Sequence, residues 1–289
     1  MSRAARLCVM NLYLHGIGQD STVSPIRADD SLAADPGDRF DMVLTNPPFG
    51  KKSSVTYVTD EGELKRESET IVRDDFWAST SNKQLNFVQH IKTITKFHGK
   101  AAVVVPDNVL FEGGAGETVR RKLLQECDVH TLLRLPTGIF YAQGVKANVL
   151  FFDRKTGGEQ AQTKALWIYD LRTNEHFTLK VNPLTRGDLT EFVQCYNPAN
   201  RHERTPTWSD ENPDGRWRCY TYEELAARDK VNLDIFWLRD ESLEDTNNLP
   251  DPDVIAAEIV EDLRTALEQF EEILADLGED EPVAKVTLS

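Results

Sequence analysis

The chain has 289 residues, of which 40% are hydrophobic and 9% are aromatic. This composition supplies enough apolar surface for the core of one large domain or two modest ones, and it is typical of a globular protein. No run approaches the roughly 18 consecutive apolar residues of a membrane span, and the N-terminal residues lack the apolar core and cleavage site of a secretory signal. We therefore expect a cytoplasmic protein without membrane contact.

The net charge of −15 argues against a nucleic-acid-binding protein. The acidic residues are unevenly distributed, however. Between Asp251 and Glu281 twelve acidic residues accompany the single basic residue Arg264, so that this segment carries −11 and the rest of the chain carries −4. The overall charge is therefore only a weak argument against contact with DNA.

Helical and strand patterns alternate in the first half of the chain. The expected elements are a helix at 3–15, a weakly indicated strand at 24–27, a buried strand at 41–45, a helix at 82–98 and a strand at 101–105. Residues 50–81 are polar and without periodicity, which predicts a mobile loop. The strand, helix, strand order indicates a parallel α/β unit with a right-handed crossover.

The α/β pattern continues towards the C-terminus. We expect a helix at 117–127, strands at 129–135, 148–152 and 166–171, and an amphipathic helix at 252–277. The loop between the strands at 129–135 and 148–152 is short enough for antiparallel pairing. The stretch after 171 is rich in Pro, Trp and Arg and shows no strong periodicity.

The motif Asn46-Pro47-Pro48-Phe49 follows directly after the strand at 41–45. Ligands of open α/β sheets bind at the carboxyl ends of strands, so the position is suggestive. Proline fixes φ and has no N–H, so the motif presents the Asn46 side chain and the Pro47 carbonyl as two acceptors in a stiff frame. Two such acceptors suit a planar amino group, because accepting its hydrogens stabilises the positive charge that grows as its nitrogen attacks an electrophilic carbon.

The ring of Phe49 supplies a flat face next to these acceptors. Stacking of a base on an aromatic ring contributes about 1 to 3 kcal/mol and could hold a nucleobase that has rotated out of a duplex. The alternative is a prolyl turn that only ends the strand, with Phe49 buried. The run EGGAGET at 112–118 is a weaker signal, because it lacks the Lys-Ser or Lys-Thr pair of a phosphate-binding loop.

Metal and disulfide sites are not indicated. Cys8, Cys127, Cys195 and Cys219 are scattered, with no CxxC pair and no histidine at metal-ligand spacing. We therefore expect isolated reduced thiols and no bound metal.

Several blocks of sequence resemble the methyltransferase (modification) subunit of type I restriction-modification enzymes, an adenine-specific DNA methyltransferase that uses S-adenosylmethionine. They are MNLYLHGIG, FDMVLTNPPFGKK, AAVVVPDNVLFEGGAGETVRRKLL, VHTLLRLPTGIFYAQGVKANVLFF, IYDLRTNEHFTLK, NLDIFWLRDESLED and LPDPDVIAAEIVEDL. NPPF alone marks amino-directed methyltransferases in general, whereas the later blocks narrow the resemblance to the type I subunit. Together the blocks extend over essentially the whole chain.

The resemblance implies an α/β fold made of the C-terminal strands of a partial Rossmann-like methyltransferase sheet, with a C-terminal helical extension. It divides the chain into a partial catalytic domain at 1–155, an accessory region at 156–249 and an acidic helix and tail for subunit contact at 250–289. The family sheet has the strand order 3-2-1-4-5-7-6, in which the strand at 41–45 is the fourth.

The resemblance also implies the roles of single residues. Asn46, Pro47, Pro48 and Phe49 are expected to form the catalytic motif that receives the flipped adenine. Asp30 is expected to approach the adenine ring of the methyl donor, with Asn46 also at the donor site; a solvated turn aspartate is the alternative for Asp30. Lys51 and Lys52 could contact DNA phosphates.

The partners implied by the resemblance are DNA, a specificity subunit that reads the DNA sequence, a restriction subunit and a second methyltransferase subunit. Family members also carry, ahead of the matched region, a strand and a glycine-rich loop that hold S-adenosylmethionine. We find no such segment before the strand at 41–45, so we expect a truncated or split member that is inactive alone, with this strand left at the edge of its sheet.

Two other functions stay open at this point. The first is a methyltransferase that acts on another amino or amide group, although relatives of that kind usually have tyrosine at the position of Phe49. The second is a non-catalytic assembly element that binds a specificity subunit and the DNA backbone through the segments after Phe152.

Overall fold

A six-stranded mixed sheet lies at the centre of the computed structural model, which describes residues 3–18, 24–49, 54–58, 64–68, 70–140 and 145–240. The α-helices of this part are α1 (Arg3–Leu14), α2 (Lys83–Ile94), α3 (Asn108–Phe111), α4 (Ala115–Glu126), α5 (Thr190–Tyr196) and α6 (Tyr222–Ala227). The strands are β1 (Phe40–Thr45), β2 (Ser54–Val58), β3 (Leu64–Ser68), β4 (Thr95–Pro106), β5 (Cys127–Arg134), β6 (Ala147–Arg154), β7 (Ala165–Asp170) and β8 (Trp217–Thr221).

The strands of the large sheet follow the order β1-β4-β6-β5-β7-β8. β1 is parallel to β4 and β5 is parallel to β7, whereas the other neighbours are antiparallel. The first four strands in this order, β1, β4, β6 and β5, correspond to strands 4, 5, 7 and 6 of the expected sheet. β5 and β6 are antiparallel, as predicted from the short loop between them. The expected α/β fold class is therefore confirmed.

β1 lies at the edge of this sheet, and β4 is its only partner among the described strands. The expectation of an edge strand is thus confirmed, but the expectation of a buried one is wrong. Only Val43 is buried, whereas Phe40, Met42 and Leu44 are 48%, 60% and 72% exposed. An apolar strand that alternates in this way is half covered, because only one of its two faces packs against the core.

The boundary between α2 and β4 differs from the prediction. The helix ends at Ile94 and the strand starts at Thr95, so residues 95–98 belong to a strand and not to the expected helix. Arg154 of β6 explains this end, because its Nη1 donates to the carbonyl oxygens of Lys92, Thr93 and Thr95 at 2.6 to 3.1 Å. These carbonyls at the end of the helix are satisfied by a residue about 60 positions away.

Two other local expectations need correction. The segment 50–81 is not one long loop, because β2 and β3 form an antiparallel hairpin and Ile71 bridges to Thr80. No strand forms at 24–27, where the N–H of Ile26 donates to the hydroxyl of Ser24 in a local turn. A hydroxyl that bonds its own backbone two residues on competes with strand pairing.

The sheet is covered by apolar side chains on both faces. One buried cluster contains Leu85 and Val88 of α2, Leu123 of α4 and the segment around Leu233, packed on Val103 and Leu132 of the sheet. The second cluster contains Leu133, Tyr169, Phe192 and Trp217. Neighbouring residues of β5 enter different clusters, as expected for side chains that alternate between the faces of a strand.

Arg120 of α4 ties the segment at 230–231 to the first cluster. The side chain is 2% exposed, and it donates to the carbonyl oxygens of Val109, Glu112, Lys230 and Val231 at 2.7 to 3.0 Å. Burial lowers the pKa of Arg120 to about 10, which leaves it charged at neutral pH. A buried cation is tolerated here because several carbonyl oxygens replace its water.

The sheet continues past residue 155 with β7 and β8. The division at 155 and at 249 stays a prediction, and the helix expected at 252–277 lies outside the described residues. Within the described residues, no helix combines the length and the hydropathy needed to span a bilayer.

Candidate functional site

The strand directions bring the ends of four strands to one edge of the sheet. β1, β4, β5 and β7 all run the same way, so the residues that follow them lie along the same edge as the start of β6. Asn46 follows β1 and Asp107 follows β4 at this edge. The carboxyl edge of a sheet of this type is the usual place for a ligand.

The structure places the four residues of the NPPF motif in different surroundings. Asn46 and Pro48 are exposed, Pro47 is buried and Phe49 is half-buried. Among the described residues, none donates a hydrogen bond to the side-chain oxygen of Asn46 or to the carbonyl oxygen of Pro47. The two acceptors that the sequence singles out are therefore not used by the described part of the fold.

A hydrogen bond from α2 fixes the backbone of the motif. The side-chain amide of Gln84, which is 5% exposed, donates from Nε2 to the carbonyl oxygen of Pro48 at 2.7 Å. The donor comes from the first turn of α2, where Asn82 caps the helix by accepting from the N–H groups of Gln84 and Leu85 at 2.9 and 3.3 Å. A capped helix end of this kind holds its first turn in place.

The cap is held in turn by α3 and its flanking residues. Asn82 Nδ2 donates to the carboxylate of Glu112 at 2.6 Å, and Asn108 donates to the same oxygen at 3.3 Å. The positions of Gln84 and of Pro48 thus depend on a chain of hydrogen bonds that ends at residues 108 and 112, which follow β4 in the chain. Buried polar networks of this kind favour one arrangement when all members are satisfied.

Phe49 contacts Phe140, which lies in the loop after β5. The ring centroids are 5.7 Å apart with an interplanar angle of 85°, an edge-to-face pair. The loop is shaped by Gly138, whose φ of +80° favours glycine and whose Cα lies so close to the Phe177 carbonyl that a Cβ would overlap it. The orientation of the Phe49 ring is therefore set by a tightly packed turn.

Asp107 is the charged group at the end of β4. Its carboxylate accepts from both Nη atoms of Arg172 at 2.8 and 2.9 Å and from Asn148 Nδ2 at 2.8 Å. Burial acts to raise the pKa of this carboxyl, but the hydrogen bonds from Arg172 outweigh it and hold the pKa below its ordinary value. Asp107 is therefore ionised at neutral pH. It holds Arg172 and Asn148 at the end of β4 and does not act as a proton donor.

Asp30 lies in a turn between α1 and β1. It is exposed, and its Oδ1 accepts from the N–H of Leu32 at 3.0 Å. The turn does not follow a strand, contrary to the sequence-based expectation. Next to Asp30, the carbonyl oxygen of Ser31 accepts a hydrogen bond from Arg73 Nη1 at 3.2 Å. No hydrogen bond or ion pair among the described residues joins Asp30 to residues 46–49. Lys51 and Lys52 lie outside the described residues.

Sequence reasoning misses the side chains that hold the motif. Gln84, Asp107, Phe140 and Arg172 are separated in sequence from Asn46 and belong to no local pattern with it. One signal is present in the sequence: Pro106-Asp107 follows an apolar strand, as Asn46-Pro47 does. Polar residues at the ends of neighbouring parallel strands are expected at the same edge.

Comparisons with known proteins give a consistent result. The family profile described as N-6 DNA Methylase matches residues 1–235. The EcoKI methylase subunit of the type I restriction enzyme of Escherichia coli strain K12 is 40% identical over 301 residues, which cover 94% of this chain and 54% of that protein. The StySPI methylase subunit of Salmonella potsdam is 40% identical over 302 residues, with the same shares of the two chains.

Solved structures of similar proteins share the fold. The crystal structure of the EcoKI M protein matches with a TM-score of 0.66 and 38% identity over 94% of this chain and 58% of that one. A chain from a structure on complex assembly of the type I R-M system matches with a TM-score of 0.60 and 27% identity, over 96% of this chain and 53% of that one. The chain spans about half the length of the curated relatives it matches.

Proposed function

Because the chain belongs to the N-6 DNA methylase family, we propose that it carries the base-binding part of an adenine-specific DNA methyltransferase of a type I restriction-modification complex. The reaction transfers the methyl group of S-adenosylmethionine to the exocyclic amino nitrogen of adenine. The observation that carries the proposal is the NPPF motif at the carboxyl ends of the strands, with two acceptors that no described residue uses and a backbone held by Gln84.

The two acceptors act on the amino group of the adenine. The Asn46 side-chain oxygen and the Pro47 carbonyl oxygen each accept one of its hydrogens, which favours a tetrahedral nitrogen with a lone pair directed at the methyl group. They also stabilise the positive charge that develops on this nitrogen during transfer. The prolines and the bond from Gln84 to Pro48 keep the frame in place before the base arrives, so little reorganisation is needed.

Phe49 provides a stacking surface for the flipped base. Its half-buried ring is held edge-to-face by Phe140, so that the orientation of the ring is set before binding. Stacking of one base contributes about 1 to 3 kcal/mol, which offsets part of the cost of unstacking the adenine from the duplex.

S-adenosylmethionine supplies the electrophilic methyl group when it is bound. Asp30, exposed in its turn, and Asn46 are the two residues proposed to face the donor, and neither is enclosed by described side chains. These two contacts fit one end of the donor but do not form a complete site for it. We therefore propose that residues of a second polypeptide complete the donor site, and that this chain alone does not methylate DNA.

The exposed side of β1 is where such residues can join the sheet. Phe40, Met42 and Leu44 are exposed, and the outer edge of β1 has no partner among the described strands. A further strand that pairs with β1 on this side lies beside Asn46, at the end of the sheet where β1 finishes. The assembled complex is proposed to contain DNA, a specificity subunit, a restriction subunit and a second methyltransferase subunit.

Methylation assays with a donor-binding fragment and a specificity subunit test this proposal. We expect the mixture to methylate DNA and Asn46→Ala to reduce the rate by about 100-fold or more, as for the loss of one preorganised hydrogen-bonding group at a reacting atom. Phe49→Trp, which keeps a stacking face, is expected to retain more activity than Phe49→Ala. Equal activity of Asn46→Ala and the unchanged chain would contradict the proposal.

Calorimetry with S-adenosylmethionine tests the incomplete donor site separately. We expect no binding to the isolated chain, and micromolar affinity would show that the donor site is complete. A second function, a non-catalytic assembly element, is favoured by the exposed β1 edge. It predicts that the chain assembles with the specificity subunit while no donor-binding fragment restores methylation.

A further inference from the structure

A cavity of about 520 Å³ lies at the edge of the sheet opposite Asn46. It is formed where β5 and β7 begin and β6 ends, next to a 3-10 turn at Arg201–Glu203. The NPPF motif follows the carboxyl end of β1, which is the other edge of the sheet. The cavity is therefore not used by the function proposed above, and the following inference does not depend on that function.

The walls of this cavity are cationic in a protein of strongly negative charge. Four basic side chains line it, namely Lys155, Lys164, Arg201 and Arg204. Two carboxylates offset part of this charge: Asp153 pairs with Arg201, and Asp128 lies 4.0 Å from the Lys155 ammonium. The four cations and two carboxylates leave an excess of two positive charges, in a chain whose net charge is −15.

Arg204 is the most deeply placed of these cations, with 8% exposure. Its Nε donates to the Tyr196 carbonyl at 2.8 Å, and Nη1 donates to the His130 carbonyl at 3.2 Å and to the Thr131 hydroxyl at 3.1 Å. The third nitrogen, Nη2, is buried and has no hydrogen-bond partner among the described residues. Burial lowers the pKa of Arg204 to about 10, so the guanidinium stays charged at neutral pH.

Arg201 repeats this arrangement. Its Nη2 donates to Asp153, whereas its Nη1 is buried and likewise lacks a partner in the described part of the chain. A buried donor without an acceptor is unfavourable, and more so when it is charged. Two guanidinium groups that each keep one unused donor therefore line the same cavity.

We propose that this cavity binds a phosphate group, carried by a small phosphorylated molecule or by a nucleic-acid backbone. Phosphate offers several strong acceptors with the geometry that guanidinium groups match, and it attracts the two lysines. The cavity is in the size range of small-molecule sites, so it holds more than the phosphate itself. Trp167, whose ring stacks on Trp217 at 5.3 Å between centroids, provides a flat apolar wall for the rest of the ligand.

Isothermal titration calorimetry of the full chain tests this site with three probes: inorganic phosphate, adenosine monophosphate and a short DNA duplex. We expect at least one probe to bind and the double variant Lys155→Ala/Lys164→Ala to weaken it by about tenfold or more, because both removed charges face the ligand. The matched control is Lys122→Ala/Lys180→Ala, which removes the same charge from two exposed positions outside the cavity and is expected to leave the affinity unchanged.

The probes also identify the source of the phosphate. The site is assigned to a nucleic-acid backbone if the duplex binds, if inorganic phosphate competes with it, and if Lys155→Ala/Lys164→Ala abolishes its binding. Binding of adenosine monophosphate that the duplex does not displace assigns it to a small molecule. Lys164→Glu, a single change at an exposed position, repeats the test without disturbing Arg204, and thermal melting checks that each variant is folded. Absence of binding by every probe, or equal weakening in the control, would overturn the proposal.

Discussion

At the scale of single residues, the hydrogen bond from Gln84 to Pro48 shows how the orientation of the rigid NPPF backbone is fixed. Two prolines stiffen the backbone but do not determine where it points. The direction comes from a buried amide of α2 that donates to the second proline at 2.7 Å. The acceptors of Asn46 and Pro47 therefore depend on a side chain that takes no part in the proposed reaction.

Replacing Gln84 by methionine tests this dependence. The change keeps the volume of the side chain and removes the donor, so we expect a loss of about 1 kcal/mol in the free energy of unfolding. Methylation by the complemented assembly is expected to fall more strongly than this stability loss explains, because the acceptors lose their fixed position. Urea unfolding and the methylation assay measure the two effects.

Gln89→Met provides the matched control. Gln89 is also a buried glutamine of α2, but its amide bonds the N–H and the carbonyl of Ala78 at 2.9 and 3.1 Å and not the NPPF motif. This change removes three hydrogen bonds where Gln84→Met removes one, so we expect a larger loss of stability with methylation retained. If both variants lose methylation equally, Gln84 acts only through the general stability of the helix.

The NPPF motif itself is visible in the sequence, whereas the side chains that hold it are not. Asn46 to Phe49 are adjacent, so their chemistry can be inferred from residue types and from the preceding strand. Gln84 lies 36 positions beyond Pro48, and only the fold brings the two together. A glutamine in the first turn of a helix has no property that distinguishes it from a solvated one until its partner is known.

At the scale of elements, the turn after β5 is constrained by a close approach of two backbones. Gly138 has a φ of +80°, and a Cβ at this position would overlap the carbonyl oxygen of Phe177. The same turn leads to Phe140, which holds Phe49. The close packing of Gly138 thus positions Phe140, which in turn orients the Phe49 ring on which the base is proposed to stack.

Gly138→Ala is expected to destabilise the protein by about 3 kcal/mol or more, because overlap with the backbone adds to the cost of a positive φ. Gly157→Ala is the control that measures the cost of a positive φ alone. Gly157 has a φ of +76°, and a Cβ added there would have no neighbour within 4 Å. We expect this second change to cost about 1 to 2 kcal/mol. Urea unfolding compares them, and equal losses would show that the contact with Phe177 is not limiting.

Element boundaries are less predictable than the existence of the elements. The sequence around 82–106 predicts a helix followed by a strand, and both are present. Their boundary is set by Arg154, which binds the last carbonyls of α2, and by the pairing of β4 with two neighbours. Local patterns cannot contain this information, because the deciding contacts come from β1 and β6.

At the scale of the whole molecule, buried histidines make stability depend on pH. Burial, together with the nearby charge of Arg73, lowers the pKa of His90, and burial lowers the pKa of His130. Arg73 Nη1 lies 3.2 Å from His90 Nδ1. Because a guanidinium can only donate, this nitrogen of His90 is an acceptor and the ring is neutral.

We therefore expect stability to fall as the pH decreases from about 7 to 5. The unfolded chain binds protons on these histidines below about pH 6.5, whereas the folded chain does not, so the stabilisation is present above this pH and is lost below it. His90→Asn, which keeps an acceptor for Arg73, is expected to reduce the slope of the free energy of unfolding against pH. Chemical unfolding at several pH values measures the slope.

His98→Asn is the control for this experiment. His98 is exposed, and its φ of +65° is one that asparagine tolerates well. The slope is expected to stay unchanged in this variant. A slope that is the same in the His90 variant and in the unchanged protein would show that His90 does not contribute.

The position of β1 at the sheet edge has a consequence for how the protein is made. Its outer side offers a row of backbone groups that pair with no described strand, beside the apolar side chains of Met42 and Leu44. Such a row is a template for pairing with another copy of the same chain. Self-pairing rises with concentration and competes with the neighbouring strand proposed above. If that strand comes from a second polypeptide, we expect synthesis of both together to reduce aggregation and overproduction of this chain by itself to increase it.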